Sequence, residues 1–520
     1  MNVIFRVDSS LLMGTGHLMR TLTLAEALRD RGVLVGFICR QHKGNFVALL
    51  EQRSIPCTIL SAPIIASSGV QENYAEWLGV TQNQDAAETI EALRGEKPDW
   101  LVADHYGLDI EWEKQVRPHV KQLMVIDDLA NRSHDCDILL DQNYSFEGEL
   151  RYAGLLPDQC KRWVGPRYAL LRPEYRMYRK TLCDRDGIVK NVMVFFGGSD
   201  LHNMTGVALD ALSHPDLKHL EVDLVVGPTN PYYAEIERMA HKRLKTRIYG
   251  HRQHLADLMV HADLAIGAGG ATTWERMCLG LPTAVITIAD NQRPSTNALA
   301  AAKLIHYVGD VTNIDSGQLQ KELFELINTP ERLSDLSLRN IVEVDGFGVP
   351  RLVETMFPSA LHVLSLRPAR SNDIVLYYNW VNDSEVRKSA INTSPISWLS
   401  HKEWFIKKLN DSNSWLFVLE AKGLPVGQIR FDRDGDHLMI DYSLDICVRS
   451  RGWGTQLVSL GADLMQQIEN VKIFAEVREE NNRSSAVFLR AGFVEEQNSS
   501  QDGYRYFYRY PAFSSTVNHG

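Results

Sequence analysis

The sequence predicts an α/β protein in which two doubly wound, parallel-sheet domains are followed by a smaller α+β domain. Three observations lead there. At 520 residues the chain exceeds the roughly 250–300 residues at which a single hydrophobic core stops growing. Up to about residue 350, short apolar runs alternate with helical-period stretches, and this rhythm restarts once after a polar passage. Beyond about residue 360 it gives way to alternating strands joined by tight turns.

Taken in order, the runs "VIFRV", "LVGFIC", "WLVAD" and "LMVID" are strands of a first parallel sheet. The arginine-rich passage over 161–190 reads as a polar connector. A second sheet begins at "VMVFFGG" and continues through "LEVDLVVG", "TRIYG", "ADLAIGAGG" and "PTAVITI". After the segment 345–364, "LHVLSLRPA" starts a strand, and "WLFVLEAKGLPVGQIRFDRDGDHLMIDYSLDICV" alternates like antiparallel strands around Gly-Leu-Pro and Asp-Gly-Asp turns. The expected domains are Rossmann-like over 1–165 and 166–355, and α+β over 356–520.

Composition narrows the function classes. Hydrophobic (44%) and charged (23%) fractions are ordinary for a globular protein, and a formal net charge of −10 argues against a phosphate-driven nucleic-acid binder. The seven cysteines contain no C-x-x-C pair, so neither a structural zinc site nor a disulfide framework is expected. No apolar run approaches the roughly 18–20 residues of a membrane span, and "MNVIFRVD" lacks the features of a signal peptide. A cytoplasmic protein with reduced thiols and no membrane association is the expectation; oligomeric state is not readable.

The first motif is "GTGHLMR". Leu18, Leu22, Ala25 and Leu28 recur with helical spacing, so a helix begins near His17, just after Gly14 and Gly16 turn the chain out of the first strand. Unpaired N–H groups at such a helix start suit a phosphate or developing anion, and the helix dipole disfavours an imidazolium, which suits a neutral base. The alternative is a glycine-rich turn carrying a solvated histidine. Two further clusters follow strands: Gly197, Gly198, Ser199 and Asp200 in "VFFGGSDLHNMT", and Gly269, Gly270, Thr272 and Glu275 in "IGAGGATTWERMCLGLP". Loops rich in N–H donors can hold a diphosphate, and a carboxylate one turn along can accept from a ribose diol; for Glu275 the alternative is a plain helix-N-terminal acid. Asp104, His105, Asp127 and Asp128 lie at predicted strand ends, as sugar-pocket residues or as turn and cap residues. His251 and His254 form an H-x-x-H pair without matching ligands, so no metal site is expected.

These blocks, with "VIDDLANRSHDCDILLDQN" between them, resemble the UDP-2,4-diacetamido-2,4,6-trideoxy-β-L-altropyranose hydrolases of pseudaminic acid biosynthesis over about residues 1–350. That family is similar to the peptidoglycan glycosyltransferase that uses UDP-GlcNAc and has the two-Rossmann GT-B arrangement. The resemblance implies that the second Rossmann half binds UDP, with Glu275 near the ribose and loop 267–272 near the diphosphate. His17 matches the catalytic histidine, which activates a water for inverting attack at the anomeric carbon without a metal. Nucleotide-sugar contacts are implied for Gly14, Gly16, Arg20, Gly197, Gly198, Ser199, Asp200, Gly269, Gly270, Thr272, Glu275, Asn291 and Gln292.

The second motif, Arg449-Ser450-Arg451-Gly452-Trp453-Gly454-Thr455, runs from a strand into a helix with glycines that let an anion approach the backbone. An ordinary glycine-rich turn is the alternative. Together with "IFAEVREENNRSSAVFLRAGFVEE", it resembles the coenzyme-A-binding motifs of GNAT acetyltransferases over about 361–512. The resemblance implies pyrophosphate binding by Arg449, Arg451, Gly452, Gly454 and Thr455. It places pantetheine between splayed strands at Leu444 to Ile446, the thiol near Asn481 and Ser484, and a base for the acceptor amine at Glu476, for which the alternative is a surface glutamate. Phe488 stands where many relatives carry a tyrosine that reprotonates the thiolate; water, Tyr504, Tyr506 or no donor at all are the replacements left open.

In the pseudaminic acid route an acetyltransferase acylates a UDP-linked 4-amino sugar and the hydrolase then removes UDP. A bifunctional acetyl-CoA-dependent enzyme acting on that sugar is therefore the expectation. The alternatives are a GT-B glycosyltransferase fused to an acetyltransferase, an acetyltransferase for protein amines, a binding module with an inactive hydrolase half, and the same chemistry on a related nonulosonic acid precursor.

Overall fold

A computed structural model describes every residue except 11–12, 64–73, 199, 228–229, 251, 253, 361–362, 391, 497–502 and 512–520. The chain divides into two compact units, Met1–Val349 and Pro350–Gly520.

The first unit carries two parallel sheets. One is built from β1 (Asn2–Val7), β2 (Leu34–Arg40), β3 (Cys57–Leu60), β4 (Trp100–Asp104), β5 (Gln122–Ile126), β6 (Ile138–Asp141) and β7 (Lys161–Val164), in the order β3-β2-β1-β4-β5-β6-β7. The other holds β8 (Asn191–Phe195), β9 (Glu221–Val225), β10 (Thr246–Tyr249), β11 (Leu264–Ala268), β12 (Thr283–Thr287) and β13 (His306–Asp310), in the order β10-β9-β8-β11-β12-β13. Sheets covered on both faces use strands buried throughout, and β4, β11 and β12 are buried at every position. Both are Rossmann-like, and each reverses strand order once, between β1 and β4 and between β8 and β11. Open α/β sheets bind ligands beyond the carboxyl ends of the strands at such a reversal.

The helix after β1 spans Gly16–Asp30 and buries Leu18, Leu22, Ala25 and Leu28, the apolar stripe expected from the sequence. The arginine-rich passage 161–190 is more ordered than a connector. It contains β7 and the helix Pro173–Arg179, with Tyr168, Leu171 and Tyr175 buried. Its arginines serve helix ends: Arg179 donates to the carbonyls of Cys278 (2.7 Å), Val344 (2.9 Å) and Ile341 (2.6 Å). Helix C-termini leave carbonyls without intrahelical donors, and a guanidinium fork can satisfy several at once.

The second unit is a mixed sheet of β14 (Leu364–Pro368), β15 (Ser414–Ala421), β16 (Leu424–Asp434), β17 (His437–Leu444), β18 (Lys472–Arg478), β19 (Val494–Glu495) and β20 (Tyr504–Arg509), in the order β14-β15-β16-β17-β18-β20-β19. β17 and β18 pair in parallel over only three residues, ending at Met439 opposite Phe474. Beyond that point no ladder joins them among the described residues, and the strands diverge. Helices Trp453–Ile468 and Asn482–Arg490 follow β17 and β18.

Candidate functional sites

The loop after β1 and the end of β4 meet at the reversal of the first sheet. Gly14 adopts φ +71°, a conformation that L side chains avoid, and turns the chain into the helix whose first turn carries His17. His17 Nδ1 lies 2.6 Å from Asp104 Oδ1, and its side chain is 11% exposed. Asp104 is fully buried and also accepts from Arg20 Nε and Nη2, both at 2.7 Å. Burial alone would raise the Asp104 carboxyl; the Arg20 charge, then His17, overcome this and hold it well below the usual carboxylate range. An ionised carboxylate only accepts, so this contact puts hydrogen on Nδ1, and the neutral ring then carries its lone pair on Nε2. Asp104 therefore pairs with the histidine rather than capping a turn.

Arg20 reaches onward to Asp128 Oδ2 at 2.6 Å, where Tyr106 also donates at 2.8 Å. The Tyr106 ring stands edge-on to His17 with centroids 4.6 Å apart, and contacts Tyr74 and Trp77. Tyr74, Trp77 and Met13 line a cavity of about 160 Å³ together with segment 289–292, including Asn291 and Gln292. A continuous aromatic path therefore joins the cavity wall to His17. Asp127 is a turn residue: its carboxylate accepts from the backbone of Leu129 (3.2 Å) and Ala130 (2.8 Å). His105 lies buried with Nε2 3.5 Å from Asp8, and burial lowers it to about 3.

Asp8 is a residue that the sequence reading passed over. Fully enclosed, it takes Arg6 at 2.6 Å and the Arg40 amide at 2.7 Å, and Arg6 and Arg40 share Asp85. This buried network fixes the carboxyl ends of β1 and β2 beneath the His17 turn. Its only signal was an acid directly after an apolar strand that itself contains arginine, "FRVD". Tyr74, Trp77 and Tyr106 had no motif to mark them.

In the second sheet, Gly197 has φ +98°, and added Cβ atoms at Gly197 and Gly198 would meet nothing within 4 Å, so that turn is open. Ser199 lies outside the described residues. The Asp200 carboxylate oxygens accept from the amides of Met204 (2.9 Å) and Thr205 (2.8 Å) in the first turn of helix Met204–Leu212. At the end of β11, Gly269 is required by close packing, since a Cβ would come 2.3 Å from Thr296 Oγ1. Gly270 faces Gln292, and Thr272 lies 3.4 Å from Arg276 Nη1. Glu275 is hydrogen-bonded by Tyr175, yet burial pushes its carboxyl up to about 7. Both glycine clusters thus flank the reversal between β8 and β11. Of the H-x-x-H pair, His251 is outside the described residues and His254 lies 3.7 Å from Asp257.

In the second unit, Leu444 closes β17, while Ile446 opens a short 3₁₀ turn, Ile446–Val448, rather than extending the strand. Gly452, at φ +78°, starts helix Trp453–Ile468 with no side-chain cap, so the first-turn amides, including those of Gly454 and Thr455, have no capping side chain. Arg449 Nη2 contacts Asp383 (2.8 Å) and the Leu444 carbonyl (2.9 Å), and Arg451 donates to the Glu354 carbonyl (3.0 Å). Asn481 caps helix Asn482–Arg490 by accepting from the Ser484 amide at 3.1 Å. Glu476 is exposed on β18 between buried Ala475 and Val477.

These features define a chain of two Rossmann-like domains followed by an acetyltransferase-type sheet. Residues 192–344 match the glycosyltransferase family 28 C-terminal domain, and residues 364–494 match the acetyltransferase (GNAT) domain. Along 97% of its length the chain is 24% identical to an uncharacterized protein of Methanocaldococcus jannaschii, covering 99% of it. It is 26% identical, over 58% of this chain and 96% of the relative, to the UDP-2,4-diacetamido-2,4,6-trideoxy-β-L-altropyranose hydrolase of Campylobacter jejuni. A spore coat polysaccharide biosynthesis protein of Bacillus subtilis is 23% identical over 68% of this chain and 96% of its own. Among solved structures, MurG of Acinetobacter baumannii superposes with TM-score 0.48 at 14% identity, covering 68% of this chain and 99% of that one. No helix among the described residues is long and apolar enough to cross a membrane.

Proposed function

We propose that the chain is a bifunctional nucleotide-sugar enzyme: its GNAT half uses acetyl-CoA to acetylate the 4-amino group of a UDP-linked 2-acetamido-4-amino-2,4,6-trideoxy sugar, and its Rossmann half then hydrolyses the C1–O bond to release UDP. The observation that carries the hydrolytic step is the Asp104–His17 pair at the start of a helix, with the Nε2 lone pair available to take a proton from water. Similarity to the Campylobacter hydrolase over 58% of the chain supports this reading. Water attacks the anomeric carbon, the C1–O bond breaks, and UDP leaves with the electron pair, inverting the centre. Amides of the glycine turns after β8 and β11 stabilise the departing diphosphate, with Glu275 accepting from the ribose. In the other half, the uncapped helix start at Gly452 receives the cofactor pyrophosphate, and the divergence of β17 and β18 receives the pantetheine arm. Glu476 takes the acceptor's proton, directly or through water. No step calls for a metal.

A proton and phosphorus NMR time course with UDP-4-amino-4,6-dideoxy-β-L-AltNAc, with and without acetyl-CoA, tests the whole reading. Acetyl-CoA-dependent N-acetylation followed by UDP release, with release alone lost in His17→Ala, is the expected result. Acetylation without UDP release transfers the Rossmann half to an acceptor-dependent glycosyltransferase. If neither occurs, the substrate assignment fails.

A further inference from the structure

Thioester aminolysis expels a thiolate, and the sequence leaves the source of its proton open, since Phe488 occupies the family's tyrosine position. Tyr504 and Tyr506 lie on the wrong face. Directly opposed residues of paired strands share a face, and Tyr506 opposes Glu476 while Tyr504 opposes Arg478. They stand with the exposed carboxylate, where the acceptor amine enters.

The opposite face of the sheet holds another phenol. Tyr442, on β17, opposes Ile429, and Ile429 packs against Gly461 of helix Trp453–Ile468. Its ring is edge-on to Phe488 with centroids 5.6 Å apart, and a Cβ on Gly454 would come 3.7 Å from its Cε2. Its hydroxyl donates to Ser484 Oγ at 3.3 Å, on the residue expected at the thiol end. Tyr442 also lies past Met439, the last β17 residue paired to β18, so it borders the space where the strands diverge. Building on the acetyltransferase reading above, we infer that Tyr442, presented by β17 rather than by the following helix, is the acid that protonates the departing CoA sulfur, with Ser484 as its relay to solvent.

The step balances. The acceptor nitrogen forms the C–N bond and gives its proton to Glu476 or water on one face. The C–S bond breaks, sulfur takes the electron pair, and on the other face it takes the Tyr442 hydroxyl proton, which Ser484 replaces from solvent. Burial pushes the Tyr442 phenol up to about 12, so it holds its proton throughout the working pH range.

Tyr442→Phe keeps the ring and removes the hydroxyl. With acetyl-CoA and the UDP-4-amino sugar, its kcat for CoA release is expected to fall about 100-fold, within the range usual for loss of a general acid. Phe488→Tyr added to that variant faces a hydroxyl into the same contact and is expected to restore at least tenfold. Titration with CoA and with desulfo-CoA reads the role without turnover: Tyr442→Phe should weaken CoA about fivefold or more while leaving desulfo-CoA unchanged. Equal weakening of both ligands, or a kcat within twofold of wild type, overturns the role. A wild-type chain that binds CoA and acetylates the sugar while Tyr442→Phe is unaffected refutes Tyr442 alone; a wild-type chain that binds no CoA refutes the acetyltransferase reading and Tyr442 with it.

Discussion

Replacing Asp104 by Asn keeps the shape of the His17 contact and inverts its hydrogen bonding. Asp104 accepts from three donors, His17 Nδ1 and two nitrogens of Arg20. An amide offers a single acceptor oxygen, which the Arg20 fork takes, leaving its NH₂ against Nδ1 and the lone pair on the wrong imidazole nitrogen. Asp104→Asn should lower kcat for UDP release by roughly 10²–10⁴ with little change in KM, read by steady-state kinetics. A second residue sets a pH dependence of stability. His134 is buried, 2.6 Å from Glu113 and 3.8 Å from Asp127. Burial alone would lower it, but the nearby Asp127 carboxylate and the hydrogen bond with Glu113 raise it from 6.5 to about 9. A raised folded-state value means that the stabilisation is complete below pH 6.5 and lost as pH rises through 9. Urea unfolding should therefore show the gap between wild type and His134→Gln, on the order of 3 kcal/mol at pH 6, narrowing above pH 9. His17 was legible because glycines and an apolar stripe frame it locally. Its partner Asp104 was visible only as a strand end, because the contact spans 87 residues of sequence.

At the scale of elements, apolar runs marked the long strands of both parallel sheets, whose burial on both faces leaves a continuous apolar signature. Where a segment's order comes from arginines bonding to distant helix carbonyls, as in 161–190, composition reads as a linker and the packing stays hidden. Ile446 illustrates a boundary error of the same origin, since Asp445 accepts from the Cys447 amide and converts the strand end into a turn. The helix start at Gly452 was marked by its glycines, and it makes a quantitative prediction. At φ +78° an alanine pays the left-handed penalty of about 1–2 kcal/mol, although the space around Gly452 is open. Gly452→Ala should lower thermal stability by that amount and raise KM for acetyl-CoA, checked by calorimetry and initial rates.

For the whole molecule, the three-sheet architecture was readable because each sheet has its own strand rhythm. What could not be read was strand order, and strand order brings the candidate site residues together: reversal between β1 and β4 sets Asp104 beside His17, and reversal between β8 and β11 sets one glycine turn beside the other. Segment 345–365 includes the helix Gly348–Met356. The short pairing of β17 with β18 has a consequence for proton traffic of a different kind. Amides at the middle of a seven-stranded sheet ordinarily exchange with deuterium among the slowest in a domain. Here the facing edges beyond Met439 and Phe474 lack a strand-to-strand ladder, so the centre of the sheet should exchange as readily as a rim. Mass-spectrometric deuterium uptake over 440–444 and 475–478 should be fast in the ligand-free chain and slow sharply with CoA, the pantetheine arm serving as the missing seam.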